Sequence, residues 1–289
     1  MAKRKRSQKC LLDTNTLRYL CMYEDSVRLY VENAVKKYDC EITPFVLMEY
    51  YRGVIIHLID IYFVIKQFKT LDAAYDYLHA EFAVGKLRLI VQGVTRWAGS
   101  FEPSDDPKAA TLWRLGRYIF DLAQYPGFRH CRDRIDCELG KLAFPAGVFD
   151  ETAMLKFRNE YRRIEKSPNC GQCGFRSNQI SRLQHAGIDL YSQAQRDKFK
   201  VPAYSKQAAM LERAVNTGKR SPSCWWCKRL GDSIISLLTP TKHVLVSSDN
   251  SFVPLCSILG KTLLQLPSPE DMAKASTGGS GTATSGPAI

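Results

Sequence analysis

The chain has 289 residues, of which 45% are hydrophobic and 24% charged, a composition that can bury a sizeable core and excludes a wholly disordered or collagen-like polypeptide. Its formal net charge of +12 favours a polyanionic partner over general solubility. That charge is uneven, because residues 150–223 carry 14 basic against 7 acidic side chains and so supply +7 of it.

In chain order, the basic cluster Lys3 to Arg6 precedes an apolar run. Asp13 and Arg18 interrupt that run and no small-residue cleavage site follows, so a cytoplasmic location is expected. Lys9 to Leu12 reads as a strand. Thr14 to Cys21 and Asp25 to Tyr38 read as helices, the second with Val27, Tyr30, Val31, Ala34 and Val35 at helical spacing. Glu41 to Thr43 reads as a second short strand. Thr43 and Pro44 then make a favourable N-cap and first-turn pair for a helix running through Ile65. Its segment VIIHLIDIYFVI, Val54 to Ile65, is the most apolar of the chain, yet it is too short to span a bilayer and carries His57 and Asp60. It is expected to be a core helix or a homodimer contact, with no membrane partner.

Further helices are predicted over Asp72 to Ala83, Pro107 to Gln124 and Glu151 to Glu165, and this middle region has no strand alternation of its own. Alternation returns with a helix over Arg229 to Leu238, a strand over His243 to Ser247, a helix over Phe252 to Leu259 and a strand over Thr262 to Leu266. From Ala273 the chain is rich in Gly, Ser and Thr and is expected to be disordered. Strand and helix alternate at both ends of the chain. That predicts an α/β fold with a parallel central sheet, interrupted by a large, mainly helical insertion. The expected divisions are 1–53 for the first part of the core and 54–223 for the insertion, which contains the basic segment and the first cysteine pair. Residues 224–270 hold the second pair and the second part of the core, and 271–289 form the tail.

Ten cysteines without a signal peptide read as thiols or metal ligands. Cys10, Cys21, Cys40, Cys131, Cys137 and Cys256 are scattered and read as small buried apolar residues. The other four form two C-x2-C pairs, NCGQCG with Cys170 and Cys173 and SCWWC with Cys224 and Cys227. Two such pairs complete the four-sulfur shell of a structural Zn²⁺. A redox-active C-x2-C is the competing reading, and His130 with Cys131 and Cys137 is a weaker alternative cluster.

The alternation also places four carboxylates at strand ends and helix starts. Asp13 ends the first strand, Glu49 lies early on the helix after the second, Asp232 opens the helix after the cysteines, and Asp249 follows HVLVSS. Those positions converge at the carboxyl edge of a parallel sheet. Four gathered carboxylates repel one another unless a cation joins them, and hard oxygen ligands suit Mg²⁺ or Mn²⁺.

In LLDTNTL, ITPFVLMEYYRG, GDSIISLL and VLVSSDNSF, with acids Asp13, Glu49, Asp232 and Asp249, the chain resembles the PIN-domain nucleases. The likeness covers roughly residues 9–53 and 229–266. Where that family often has Thr and Asp two residues either side of the fourth acid, this chain has Ser247 and Ser251, and 183 residues separate the second and third acids. The resemblance implies a three-layer fold and divalent-metal-dependent endonuclease activity. It implies RNA as substrate, with DNA the other option, and products carrying a 5′-phosphate and a 3′-hydroxyl. Asp13, Asp232 and Asp249 would hold the ion, with Glu49 ligating or orienting a water and Asn15 and Ser247 supporting the acids. Arg158, Arg162 and Arg163 are read as one basic helical face that grips nucleic acid, with Trp225 or Trp226 available for stacking. The family includes toxins of toxin–antitoxin pairs, so an inhibitory or regulatory protein partner is a further expectation, and toxin, phage-defence and RNA-processing roles are all open. The contrasting reading is a non-catalytic RNA-binding or interaction protein on the same scaffold.

Overall fold

The structure is a computed structural model that describes residues 8–22, 25–81, 90–91, 94–95, 106–124, 129–130, 137–144, 150–167, 173–186, 227 and 230–277. Its centre is a parallel sheet of four strands, β1 (Gln8–Leu12), β2 (Tyr38–Ile42), β4 (Val244–Ser247) and β5 (Thr262–Gln265), with the two-residue β3 (Arg129–His130) added at one edge. The order is β3-β2-β1-β4-β5, and every neighbouring pair is parallel. The α/β class and the parallel sheet expected from the sequence are therefore present.

The strand order fixes where a ligand can enter. From β1 the chain steps outward to β2 on one side, and β4 and β5 occupy the other, so the order reverses between β1 and β4. Beyond the carboxyl ends of two such strands the connections part and leave a crevice. β1 pairs Leu11 with Leu245 and Leu12 with Val246, which carries Asp13 and Ser247 to the same edge.

α1 (Thr14–Met22) and α2 (Asp25–Val35) follow β1, and α3 (Pro44–Tyr50) follows β2. Thr43 caps α3 by accepting the Val46 N–H at 3.1 Å, and Pro44 sits at the start of the helix, where its missing N–H costs nothing. A single π-helical turn, Tyr51–Ile55, joins α3 to α4 (Ile56–Gln67) without a break. The expected boundary at 53/54 thus falls inside a continuous helical rod. Val54, Ile55, Ile56, Leu58, Ile59, Ile61, Tyr62 and Ile65 are buried within the chain, which makes this segment part of the core. Each fully buried side chain of this size contributes about 1.5–3 kcal/mol.

Around this rod pack α5 (Leu71–Glu81), α6 (Pro107–Gln124) and α8 (Glu151–Lys166), while α7 (Glu138–Lys141) lies against α3. α9 (Gly174–His185) packs on α10 (Gly231–Leu238), and α11 (Phe252–Ile258) connects β4 to β5. Among the described residues no helix is long and apolar enough to cross a membrane.

Three local expectations are corrected. α2 ends at Val35, and β2 occupies Tyr38–Ile42 instead of Glu41 to Thr43, because Thr43 is already committed to capping α3. The middle region contributes β3 to the core sheet. The expected disordered tail, 271–289, overlaps α12 (Pro269–Thr277), where the Ser268 hydroxyl accepts the Asp271 N–H at 3.3 Å and Met272 is fully buried in a helix packed on α2. A polar composition with one well-placed apolar anchor is enough to dock a short helix. Residues 278–289 lie outside the described set.

Candidate active site

β1 is exposed at its start and fully buried over Cys10, Leu11 and Leu12, so its hydrophobic run delivers Asp13 to the crevice at only 2% exposure. The Asp13 N–H donates to the Val246 carbonyl at 3.2 Å, locking the residue onto β4. Its two carboxylate oxygens accept the Thr16 N–H and the Ser247 hydroxyl, both at 2.6 Å. Glu49, near the end of α3, accepts the Thr14 hydroxyl at 2.8 Å and Arg52 Nη2 at 3.4 Å. Asp232, in the first turn of α10, accepts the Ser251 hydroxyl at 2.7 Å. Asp249, just past β4, accepts the Ser251 N–H at 2.9 Å and donates its own N–H to the Ser247 hydroxyl at 3.0 Å.

A pattern follows from these contacts. Asp13, Glu49 and Asp232 are each held by a hydroxyl from a different part of the chain, namely Ser247, Thr14 and Ser251. A short Ser or Thr side chain fixes a carboxylate oxygen without filling the space in front of it. Ser251, which the sequence marked only as the loss of a further acid, instead orients Asp232.

All four acids line one open cavity of about 550 Å³, together with Asn15, Arg18, Arg52, His57, Asp60, Arg162, Glu165 and Phe252. The sequence-predicted acids and Asn15 are therefore brought together, and Ser247 supports Asp13 from behind. Asn15 differs from its expected role, since its side-chain oxygen accepts Arg18 Nη1 at 3.4 Å and orients a cation.

The electrostatics follow from burial and crowding. Asp232 is pushed up to about 7, first by burial and then by the Asp249 charge, with Glu49 and Asp13 adding to it and the Ser251 bond opposing it. Asp13 is raised to about 6 by burial, against its bonds from Ser247 and Thr16. His57 is held below its ordinary value, mainly by burial. A cavity of mutually opposed carboxylates is stabilised by protons at low pH or by a cation at high pH. The donors are all hard oxygens, which fits Mg²⁺ or Mn²⁺. Among the described residues, however, no three His, Cys, Asp or Glu side chains form a ready coordination shell.

The basic helix α8 borders the cavity through Tyr161, Arg162 and Glu165. Its three arginines are not one open cationic face. Arg158 and Arg162 both pair with Asp60, at 2.8 and 2.6 Å, while Arg163 turns outward to Glu160 at 2.7 Å. Successive residues on a helix are about 100° apart, so Arg162 and Arg163 diverge.

Sequence reasoning missed Arg18, Arg52, His57 and Asp60. The signal for Arg52 was its spacing of three from Glu49, which puts both on one face of a helix.

Of the proposed zinc ligands, Cys170 and Cys224 lie outside the described residues, as do Trp225, Trp226 and Cys131. Cys173 is half-buried and accepts the Arg176 N–H at 3.4 Å, and Cys227 is buried. Cys173 also neighbours Cys137, and their interaction holds the Cys137 thiol below its ordinary value. Cys137 thus stands beside a predicted ligand although the sequence read it as scattered.

Compared with protein-family models, characterised proteins and solved structures, the chain has no match in any of the three.

Proposed function

We propose that this chain is a divalent-metal-dependent endonuclease of PIN-like, three-layer type that hydrolyses phosphodiester bonds in RNA. One observation carries the reading: carboxylates from four separate places in the chain, Asp13, Glu49, Asp232 and Asp249, line a single cavity at the crevice of a parallel sheet. Structural acids are normally dispersed or paired with bases. Here Asp13 is buried, Asp232 is partly so, and Asp249 raises the proton affinity of both, an arrangement that is costly unless it serves chemistry.

Asp13, Asp232 and Asp249 would hold Mg²⁺ or Mn²⁺, and Glu49 would orient the attacking water. Bound there, the ion would supply Lewis acidity at the phosphate and a lowered pKa for water. In the hydrolysis the water oxygen bonds to phosphorus and the P–O3′ bond breaks. The water proton passes to a carboxylate, and O3′ leaves taking a proton from solvent water, giving 5′-phosphate and 3′-hydroxyl ends. Ser247, Thr14 and Ser251 keep the carboxylates from turning as charge develops. A structural Zn²⁺ on Cys173 and Cys227, completed by Cys170 and Cys224, would tie the basic insertion to the segment leading into α10, since Cys227 is only five residues before Asp232.

The deciding experiment is cleavage of labelled single-stranded RNA, structured RNA and DNA with Mn²⁺ or Mg²⁺, beside Asp13→Asn and Asp249→Asn. Metal-dependent cutting of RNA that both variants lose supports the assignment. No cutting, with RNA binding unchanged in EDTA, replaces it with a non-catalytic binding protein, and cutting confined to DNA changes the substrate.

A further inference from the structure

The cavity continues past the acids into a wall of opposite charge. Arg18 reaches it from α1, and Arg52 from the π-helical turn that directly follows Glu49. π-turns insert one extra residue into a helix and re-aim the side chains around it, and they occur often at functional sites.

Three features show that this wall is built to present guanidinium groups. Gly53 lies so close to Arg18 that a Cβ there would stand 2.3 Å from Nη2, so the missing side chain is the space the guanidinium occupies. Asn15 fixes the same group from the other side, accepting Nη1 at 3.4 Å. Arg52 makes one long contact of 3.4 Å to Glu49 through Nη2, while its buried Nη1 has no hydrogen-bond partner among the described residues. A buried guanidinium nitrogen is costly without an acceptor, and Arg52 is one of the residues that line the open cavity.

We infer that Arg18 and Arg52 form a phosphate-binding step beside the four acids, one that receives a backbone phosphate neighbouring the scissile one in a single-stranded polynucleotide. The inference rests on the nuclease reading of the acids and adds the form of the substrate. Two planar forks suit a phosphodiester, which offers two anionic oxygens to each. Arg162 is held by Asp60 at 2.6 Å, a closer pairing than the 3.4 Å from Arg52 to Glu49, so it is the less available of the two. The strand is inferred to be unpaired because Asp13 lines the cavity at only 2% exposure, so a phosphate has to enter the cavity to approach it, which a backbone free of its complementary strand does more readily. Ile56 and His57 provide uncharged surface for the sugar or base that follows it in.

The test measures fluorescence anisotropy of a fluorescein-labelled oligouridylate with the full chain carrying Asp13→Asn, in Mg²⁺, across a salt series. Arg18→Ala and Arg52→Ala are each expected to weaken binding about tenfold and to flatten the salt dependence by about one counterion. Gly53→Ala should weaken it through displacement of Arg18 alone, and Arg52→Lys should fall between wild type and Arg52→Ala. Arg117→Ala, an exposed arginine on α6, is the control and should change neither quantity. Unchanged affinity and salt slope in folded Arg18→Ala and Arg52→Ala, in a protein whose wild-type form binds and cuts RNA, would overturn this inference and leave the nuclease reading standing. Equal affinity for a duplex would overturn its single-strand part. A wild-type chain that neither binds nor cuts any polynucleotide would overturn both.

Discussion

Glu49 and Gly231 meet so closely that a Cβ on the glycine would lie 2.5 Å from Glu49 Oε1. The second acid is thus seated against the residue that precedes the third, Asp232, and the space it uses is the absent side chain. The obstructed atom is the end of a flexible side chain and not backbone, so Gly231→Ala is expected to fold with unchanged or slightly higher stability while forcing Glu49 aside. Displacing a water-orienting carboxylate by about an ångström should cost roughly a hundredfold in cleavage rate. Thermal unfolding and RNA cleavage of Gly231→Ala, measured together, check this. Wild-type cleavage would remove Glu49 from the chemistry, and loss of folding would make the contact merely structural.

The hydroxyls that hold the acids lead to a second expectation. Ser247 donates to Asp13 and accepts the Asp249 N–H, so one oxygen couples the first acid to the fourth. Ser247→Ala leaves a buried carboxylate oxygen and a backbone donor short of a partner, at a cost of about 1–3 kcal/mol. Metal affinity or cleavage should fall roughly ten- to a hundredfold. Ser247→Thr keeps the hydroxyl and should recover most of both. Titrating Mn²⁺ into the two variants separates the outcomes, and equal affinity in Ala, Thr and wild type would show that the hydroxyl does not act on the site.

Burial and crowding make the metal-free protein sensitive to pH. Asp13 and Asp232 titrate near 6 and 7 in the folded chain, above the ordinary 3.8, so between those limits the folded state holds more protons than the unfolded. Stability contributed by these groups therefore falls as pH rises from about 4 to 7 and is level above that, a loss on the order of a few kcal/mol. Calorimetry in EDTA should show wild type losing ground to Asp232→Asn between pH 5.5 and 8. Millimolar Mg²⁺ should restore wild type at pH 8 and leave Asp232→Asn much less affected. A wild type that gains on Asp232→Asn as pH rises in EDTA would show that the crowding is not felt.

Much of this site was legible because strands and acids share one rule. A buried parallel strand reads as an apolar run, and the polar residue that ends it must face the crevice, so Asp13 and Asp249 could be placed from CLLD and HVLVSSD. Glu49 followed from the Thr43 and Pro44 helix start. The π-helical turn was not legible, because YRGVI differs from ordinary helix only in a one-residue shift set by tertiary packing. Arg52 lies in that turn, and His57 and Asp60 follow it on α4, all three lining the cavity. The pairing of Arg158 and Arg162 with Asp60 joins residues about a hundred apart, and no local pattern encodes it. α12 was missed for a different reason, since its composition is that of a tail while buried Met272, with Ala273 beside it, packs it on the core.

The cysteines give the last expectation. Cys173 precedes α9 and Cys227 precedes α10, and those two helices pack together, so a shared ion would pin the insertion to the helix that carries Asp232. Purified protein should contain about one zinc per chain, as a single four-sulfur site holds one ion. Cys173→Ser and Cys227→Ser should each abolish it and lower folded yield before altering the chemistry of what remains. The contact between Cys137 and Cys173 supplies an internal comparison. If Cys137 only packs beside the site, Cys137→Ser keeps the zinc; if its sulfur joins the shell, the metal is lost there too. Full solubility, unchanged melting and no zinc in the wild-type chain would leave the two C-x2-C pairs as ordinary thiols, and α9 would then be held to α10 by packing, without an ion.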